Sequence, residues 1–425
     1  MSWYNKIIIP VILVLFYGCG VKQPEMKVKT GKKAFANEDE LIIQALEFER
    51  LKKYKDAIKT YDILYKKSKK PEYLKEEAKL SFLAFSDDNT YKIISEGLKK
   101  DPKSVFFKRL LIGYYLNKKE YKKAEKVALE LIEIDKSARN LQILGNIYLK
   151  QKSYNLALKY FQSAFKLNNS EDMLLNMVDL LYRFLNRKKD AISYLETYIR
   201  LNNASENTYF ALLKIYGQSR DINGLVSVYK RLYKKFKKDE YAKKVIDLLM
   251  YKNDKKSAIN FLKNSGYNKE LLLDLYTREK DYKNAYLTAE QLYNESGNID
   301  YLGKMAIFEY ESNKDKLNSK ILDSISQKFE KVVEKLQLPI YLNYYGYLLI
   351  DYDLDIKKGI KLVKMALDKE PKSPFYLDSL AWGYYKLGKC DKAMKVMEKF
   401  IKETNEPEVV MHYKKIKKCL QQREN

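Results

Sequence analysis

Leu144-Gly145-Asn146-Ile147-Tyr148, then Tyr154-Asn155-Leu156-Ala157, then Phe161 and Ala164, is the stretch that decides the architecture. Leu144, Gly145 and Tyr148 mark one helix, a turn falls near Tyr154, and Ala157, Phe161 and Ala164 mark a second. The last complete unit repeats the pattern with Leu380, Ala381, Tyr384, Ala393, Met397 and Phe400; Gly145 stands 12 residues before Ala157, as Ala381 does before Ala393. Small side chains at those two places let the helix backbones approach, while Tyr and Phe one turn away fill the flanks. Apolar positions recur at i, i+3, i+4 and i+7, the helical period. Outward from this unit, a small residue returns at Ala57, Ala124, Ala157, Ala191, Gly224, Ala258, Ala285, Gly359 and Ala393, with gaps of 67, 33, 34, 33, 34, 27, 74 and 34.

A 34-residue period of helix pairs resembles the tetratricopeptide repeat, in which each pair buries its apolar face only by stacking on its neighbours. The expected fold is all-α, a superhelical solenoid of about ten or eleven helical pairs over residues 39–425. Proline agrees: past the first 24 residues, Pro71, Pro102, Pro339, Pro371, Pro374 and Pro407 fall at junctions of the frame, where proline is tolerated. Two stretches match poorly and are expected to be degenerate units. In residues 72–100, Ser86, Asp87, Asp88 and Asn89 replace the usual turn; in residues 300–338 no small residue sits at the expected place.

The first residues speak to location. Lys6 precedes an apolar run from Ile7 to Phe16, too short for a hydrocarbon core that needs about 20 residues, so residues 1–18 read as a signal peptide. Phe16-Tyr17-Gly18-Cys19 resembles the lipobox of bacterial lipoproteins, which implies that Cys19 becomes a lipid-modified N-terminus. Gly20 stands where Asp would resemble an inner-membrane retention signal. The expectation is therefore an outer-membrane lipoprotein facing the periplasm, with residues 19–38 as lipidated cysteine and flexible tether.

The chain carries 81 Lys and Arg against 56 Asp and Glu, a formal charge of +25. Clusters such as Lys66, Lys67, Lys69 and Lys70, or Lys234, Lys235, Lys237 and Lys238, sit toward the ends of second helices. There they complement the helix dipole, so they read as solvated faces and no nucleic-acid partner is expected. With Cys19 acylated, Cys390 and Cys419 remain, at the same end of two antiparallel helices in a compartment that permits disulfides; they are expected to pair. His412 is the one histidine, and no metalloprotease, nucleophile-elbow, paired-cysteine or phosphate-loop motif accompanies it. Neither enzyme activity, metal nor cofactor is expected.

Two segments near the C-terminus carry a closer resemblance. Leu342-Asn343-Tyr344-Tyr345-Gly346-Tyr347-Leu348-Leu349-Ile350-Asp351 is similar to L-N-x-x-G-Y-x-L-A-D, and Asp378-Ser379-Leu380-Ala381-Trp382-Gly383-Tyr384-Tyr385-Lys386-Leu387-Gly388 to D-S-L-G-W-x-x-Y-x-L-G. Pro407-Glu408-Val409-Val410-Met411-His412 resembles the next helix start, after which this chain stops. The tandem resembles proteobacterial tetratricopeptide lipoproteins of the outer membrane, some of which are adaptors for periplasmic carboxyl-terminal processing proteases. Departures are Ile350 for Ala and Ala381 for Gly. On the inner wall of first helices, Asn343, Tyr347, Asp378, Trp382, Tyr385 and Lys386 are expected to be free for a partner, with Trp382 the leading anchor; the alternative is that Trp382 packs between helices. The expected function is a membrane-anchored scaffold that binds a periplasmic or envelope protein. The alternatives are a pilotin-like or envelope-biogenesis assembly lipoprotein, or a cell-wall polymer binder.

Overall fold

The structure is a computed structural model that describes residues 33–424. Cys19, the expected signal peptide and most of the expected tether lie outside the described residues. Among the described residues there are 23 α-helices, one short 3-10 turn and no strand, and no helix is long and apolar enough to cross a membrane. The helices form consecutive pairs of tetratricopeptide type, and the chain falls into two compact units, one through Val228 and one from Tyr229.

The first unit contains α1 (Glu38–Arg50), α2 (Tyr54–Ser68), α3 (Pro71–Ala84), α4 (Asp88–Lys100), α5 (Val105–Asn117), α6 (Tyr121–Ile134), α7 (Ala138–Lys150), α8 (Tyr154–Leu167), α9 (Glu171–Arg183), α10 (Lys188–Leu201) and α11 (Glu206–Gln218). The division falls within α12 (Ile222–Phe236). The second unit continues with α13 (Asp239–Tyr251), α14 (Lys255–Ser265), α15 (Lys269–Arg278), α16 (Tyr282–Ser296), α17 (Ile299–Asn313), α18 (Ser319–Lys335), α19 (Pro339–Asp351), α20 (Ile356–Lys369), α21 (Pro374–Lys386), α22 (Cys390–Met397) and α23 (Pro407–Glu424). Odd-numbered helices open each of eleven pairs, and α23 stands in the position of a further first helix. Pro71, Pro339, Pro374 and Pro407 each occupy the first helical position, where the missing N–H costs nothing.

The recurrent small residue is the fourth of each second helix, or the third in α12. Ala57, Ala124, Ala157, Ala191, Ala258, Ala285 and Ala393 are all fully buried. The tightest crossing joins α19 to α20: a Cβ added to Gly359 would lie 2.6 Å from the Gly346 carbonyl oxygen, and one added to Gly346 would lie 2.8 Å from the Gly359 oxygen. Only hydrogens fit between these backbones.

Ten of the eleven turns within pairs hold one residue in the left-handed region: Lys52, Ser86, Lys119, Lys152, Asn186, Arg220, Asn253, Lys280, Asp353 and Gly388. The next residue commonly donates its N–H five residues back, as from Ser153 to Tyr148 O at 2.8 Å and from Lys389 to Tyr384 O at 2.8 Å. These are Schellman closures of the first helix, and nine of the ten use a side-chain-bearing residue where glycine would be unstrained.

Both poorly matching stretches fold as helical pairs. In α3–α4, Tyr91 occupies the fourth position and Thr90 makes the crossing instead. Its hydroxyl lies 2.7 Å from that of Ser81, and it completes a capping box with Asp87. In α17–α18, the fourth residue is Leu322, and this is the pair without a left-handed turn residue.

Glu77, on α3, is buried. Burial, with Asp62 and Glu96 adding repulsion and Lys66 opposing, pushes its carboxyl up to about 8. Between pH 4.5 and 8 the folded chain retains a proton that the unfolded chain releases, so stability falls as pH rises through this window. Glu77→Gln is expected to stabilise the protein by about 2 kcal/mol at pH 7.5 and by almost nothing at pH 4, read from urea midpoints; equal gains at both values would refute the burial argument. Gly359→Ala should cost about 1–3 kcal/mol. Gly217→Ala, where an added Cβ meets nothing within 4 Å, should be neutral or stabilise by up to about 1 kcal/mol, and thermal melts distinguish the two.

Candidate functional site

Within the second unit, successive first helices line a groove. One cavity of about 610 Å³ lies between α15, α17 and α19, and another of about 490 Å³ between α17, α19, α21 and the start of α23. They run together through shared walls at Glu311, Ile340 and Tyr344. The rim leaves large apolar side chains open: Leu338 is 43% exposed, Ile340 46% and Phe375 61%. Exposed apolar surface gathered in a concavity marks an interaction site more reliably than scattered exposure does.

Tyrosines stiffen the floor. Tyr341 donates to Asp300 Oδ1 at 2.6 Å and Tyr344 to Glu311 Oε1 at 3.3 Å, while Tyr347 donates to Glu408 Oε1 at 2.6 Å. Burial, reinforced by these carboxylates, pushes all three phenols up, so they act as neutral donors. Burial acts to raise Asp300, but its bonds from Tyr341 and Lys304 outweigh this and hold it below the usual carboxylate range.

The groove is acidic although the chain is strongly basic. Its first cavity sets Glu270, Asp274, Asp300 and Glu311 against Lys304; its second sets Glu311, Glu370, Asp378, Glu406 and Glu408 against Lys314. The lysine clusters lie elsewhere and lean on aromatic rings: Lys69 is 5.7 Å from the Tyr65 centroid and Lys237 5.6 Å from that of Tyr233. Lys66 pairs with Asp62 at 2.7 Å and Lys70 with Glu38 at 2.6 Å.

Of the six wall residues expected from the sequence, Asn343, Tyr347 and Asp378 line the second cavity. Trp382 does not stand free on the wall; it is 4% exposed. Its Nε1 donates to Asp351 Oδ1 at 2.8 Å, and its ring stacks on His412 at 4.0 Å and Tyr385 at 4.7 Å. Asp378 is also buried and accepts from His412 Nδ1 at 2.9 Å. Lys386 donates to the Asp351 carbonyl at 2.9 Å and to Asp353 at 2.8 Å. For Trp382 and Asp378 the reason is His412 of α23, which stacks on the one and bonds to the other as a further first helix would.

The motif residues are thus fastenings between successive first helices: Trp382 to Asp351, then His412 to Asp378. Cys390 opens α22, fully buried, and is joined to Cys419 of α23 with Cα atoms 6.0 Å apart, pinning α23 two turns beyond His412. Ile340, Tyr344, Phe375 and Glu408 were not singled out from the sequence. The signal available was an apolar residue just after the helix-opening Pro339 and Pro374, facing a wall that has no further helix upon it. Among the described residues, no group of three or more His, Cys, Asp or Glu could hold a metal ion.

No protein-family model and no curated protein matches the chain. Solved structures are similar to it in helix arrangement only. A structure titled for pilF of Pseudomonas aeruginosa is 18% identical, covering 48% of this chain and 94% of that one at a TM-score of 0.37. MamA from Desulfovibrio magneticus RS-1 is 16% identical, covering 40% and 97% at 0.36. TTC0263, a thermophilic TPR protein of Thermus thermophilus, is 14% identical, covering 41% and 99% at 0.32.

The Cys390–Cys419 pairing closes a separation of 29 residues, for which chain entropy predicts about 3.5 kcal/mol of stabilisation. The denatured, unreduced chain should resist alkylation at both positions. After Cys419→Ser, the fluorescence of Trp382 should shift to the red at lower temperature than in the wild type. Two alkylated thiols in the unreduced chain would refute the pairing.

Proposed function

We propose that this chain is a protein-binding scaffold that holds a segment of a partner along the groove of its second unit, and that lipid on Cys19 anchors it to the outer membrane facing the periplasm. The observation that supports the binding reading is the joined pair of cavities whose rim leaves Leu338, Ile340 and Phe375 open beside a row of hydrogen-bonded tyrosines. Rigid aromatic floors and apolar rims supply contact area at small entropic cost. The anchoring reading rests on the lipobox-like Phe16-Tyr17-Gly18-Cys19. Among partners, a carboxyl-terminal processing protease is favoured by the resemblance of residues 342–351 and 378–388 to adaptor lipoproteins. The excess of carboxylates in the groove opposes an anionic polymer as its occupant.

A photo-crosslinking residue placed at Ile340 or Phe375 should capture a discrete protein from solubilised envelopes. The same residue at Tyr251, 80% exposed and outside the groove, should not. Equal capture from all three positions, or none from the groove, would overturn the binding reading. Cys19→Ala should move the protein from the membrane to the soluble fraction, and retention in the membrane would overturn the anchor.

A further inference from the structure

The end of the groove beside α23 offers more than acidic surface. Asp378 is 6% exposed and lines the second cavity. Its Oδ2 accepts from His412 Nδ1, while its Oδ1 has no hydrogen-bond partner. Asn343, across on α19, lines the same cavity, and its Oδ1 is likewise buried and unpartnered. Buried acceptors left unmatched are costly, and two on facing helices of one cavity call for a common partner. Both are oxygens, so the complement must bring hydrogen-bond donors.

Charge selects among donors. Glu311, Glu370, Glu406 and Glu408 surround the same space, and Lys314, its one lysine, already lies 3.6 Å from Glu408. The N-terminal end of α23 contributes positive partial charge, but Glu406 and Glu408 stand at that end and offset it. Phe375, Tyr344 and Tyr376 add apolar and aromatic wall, which suits a cationic head on an aliphatic stem.

Resting on the reading that the groove holds a partner segment, we propose that this end cavity is a subsite for a cationic side chain of that segment, arginine above lysine. A guanidinium carries a rigid fork of five donors and can address separate acceptors on α19 and α21 together, whereas an ammonium is a compact point charge.

The test uses the full chain in detergent and fluorescein-labelled pools of N-acetylated decapeptides. Each pool has one fixed central residue, arginine, lysine, glutamine, norleucine or glutamate, in otherwise random sequence. Fluorescence anisotropy should rank arginine first, at least tenfold tighter than glutamine or norleucine. Asp378→Asn should reduce that preference to threefold or less. Because Asp378 also holds His412, the double variant Glu406→Gln/Glu408→Gln, altered at two exposed positions, gives a second readout: the preference should fall at least threefold with the helical circular dichroism unchanged. Equal binding of the arginine and norleucine pools, or an unchanged preference in folded variants, would overturn the subsite. If the norleucine pool bound equally well and a photo-crosslinker at Phe375 captured it, the groove reading would stand and the cation subsite alone would fall. If no pool of any charge were captured at Phe375, both would fall.

Discussion

Close approach of two helix backbones at one small residue is the constraint on which the rest of the structure depends. Alanine or glycine early in each second helix removes the side chain that would hold the pair apart, and the aromatic residues one turn away fill the space on either side. Where the Cα of each of Gly346 and Gly359 faces the carbonyl oxygen of the other, even a methyl group has no room. Each pair made in this way still has an open apolar flank, which the next pair covers. Within each unit, stability is therefore a chain of neighbour contacts and not a single central core.

Such an array leaves one of its walls for other uses. In the second unit the first helices show their tyrosines and carboxylates to a common groove, and the phenols are held by the acids they face. The contrast between a basic chain and an acidic groove follows from position. Lysines cluster at the ends of second helices, where dipoles and aromatic rings accommodate them, and carboxylates are placed on first helices, where tyrosine hydroxyls bind them.

Much of the fold was legible in the residues. The spacing of small side chains marked the second helices, and proline marked first turns, because each of those signals answers to sterics that no tertiary context overrides. The turns within pairs were less legible, since most place lysine, arginine or asparagine in a left-handed conformation that carries no distinctive composition. Thr90 escaped notice because a hydroxyl bonded to Ser81 can do locally what a methyl group does elsewhere. The site was legible only in part. Asn343, Tyr347 and Asp378, reached by counting along the helix, line the second cavity, yet that count could not show that α23 lies over Trp382. Glu406 and Glu408, which supply much of the groove's charge, stand at the start of α23, where the repeat count marks a helix start but not the cavity it meets.

The single helix that ends the array has a consequence for how the molecule can be shortened. Whole pairs removed from the interior would leave similar surfaces to meet, but α23, 18 residues long, is tied to α21 and α22 by particular side chains. Without it, an indole, a carboxylate and a cysteine sulfur that are now enclosed would lose their cover at once. The last helix is a keystone: trimming the tail would unseal the inner wall beside it and undo the groove's end.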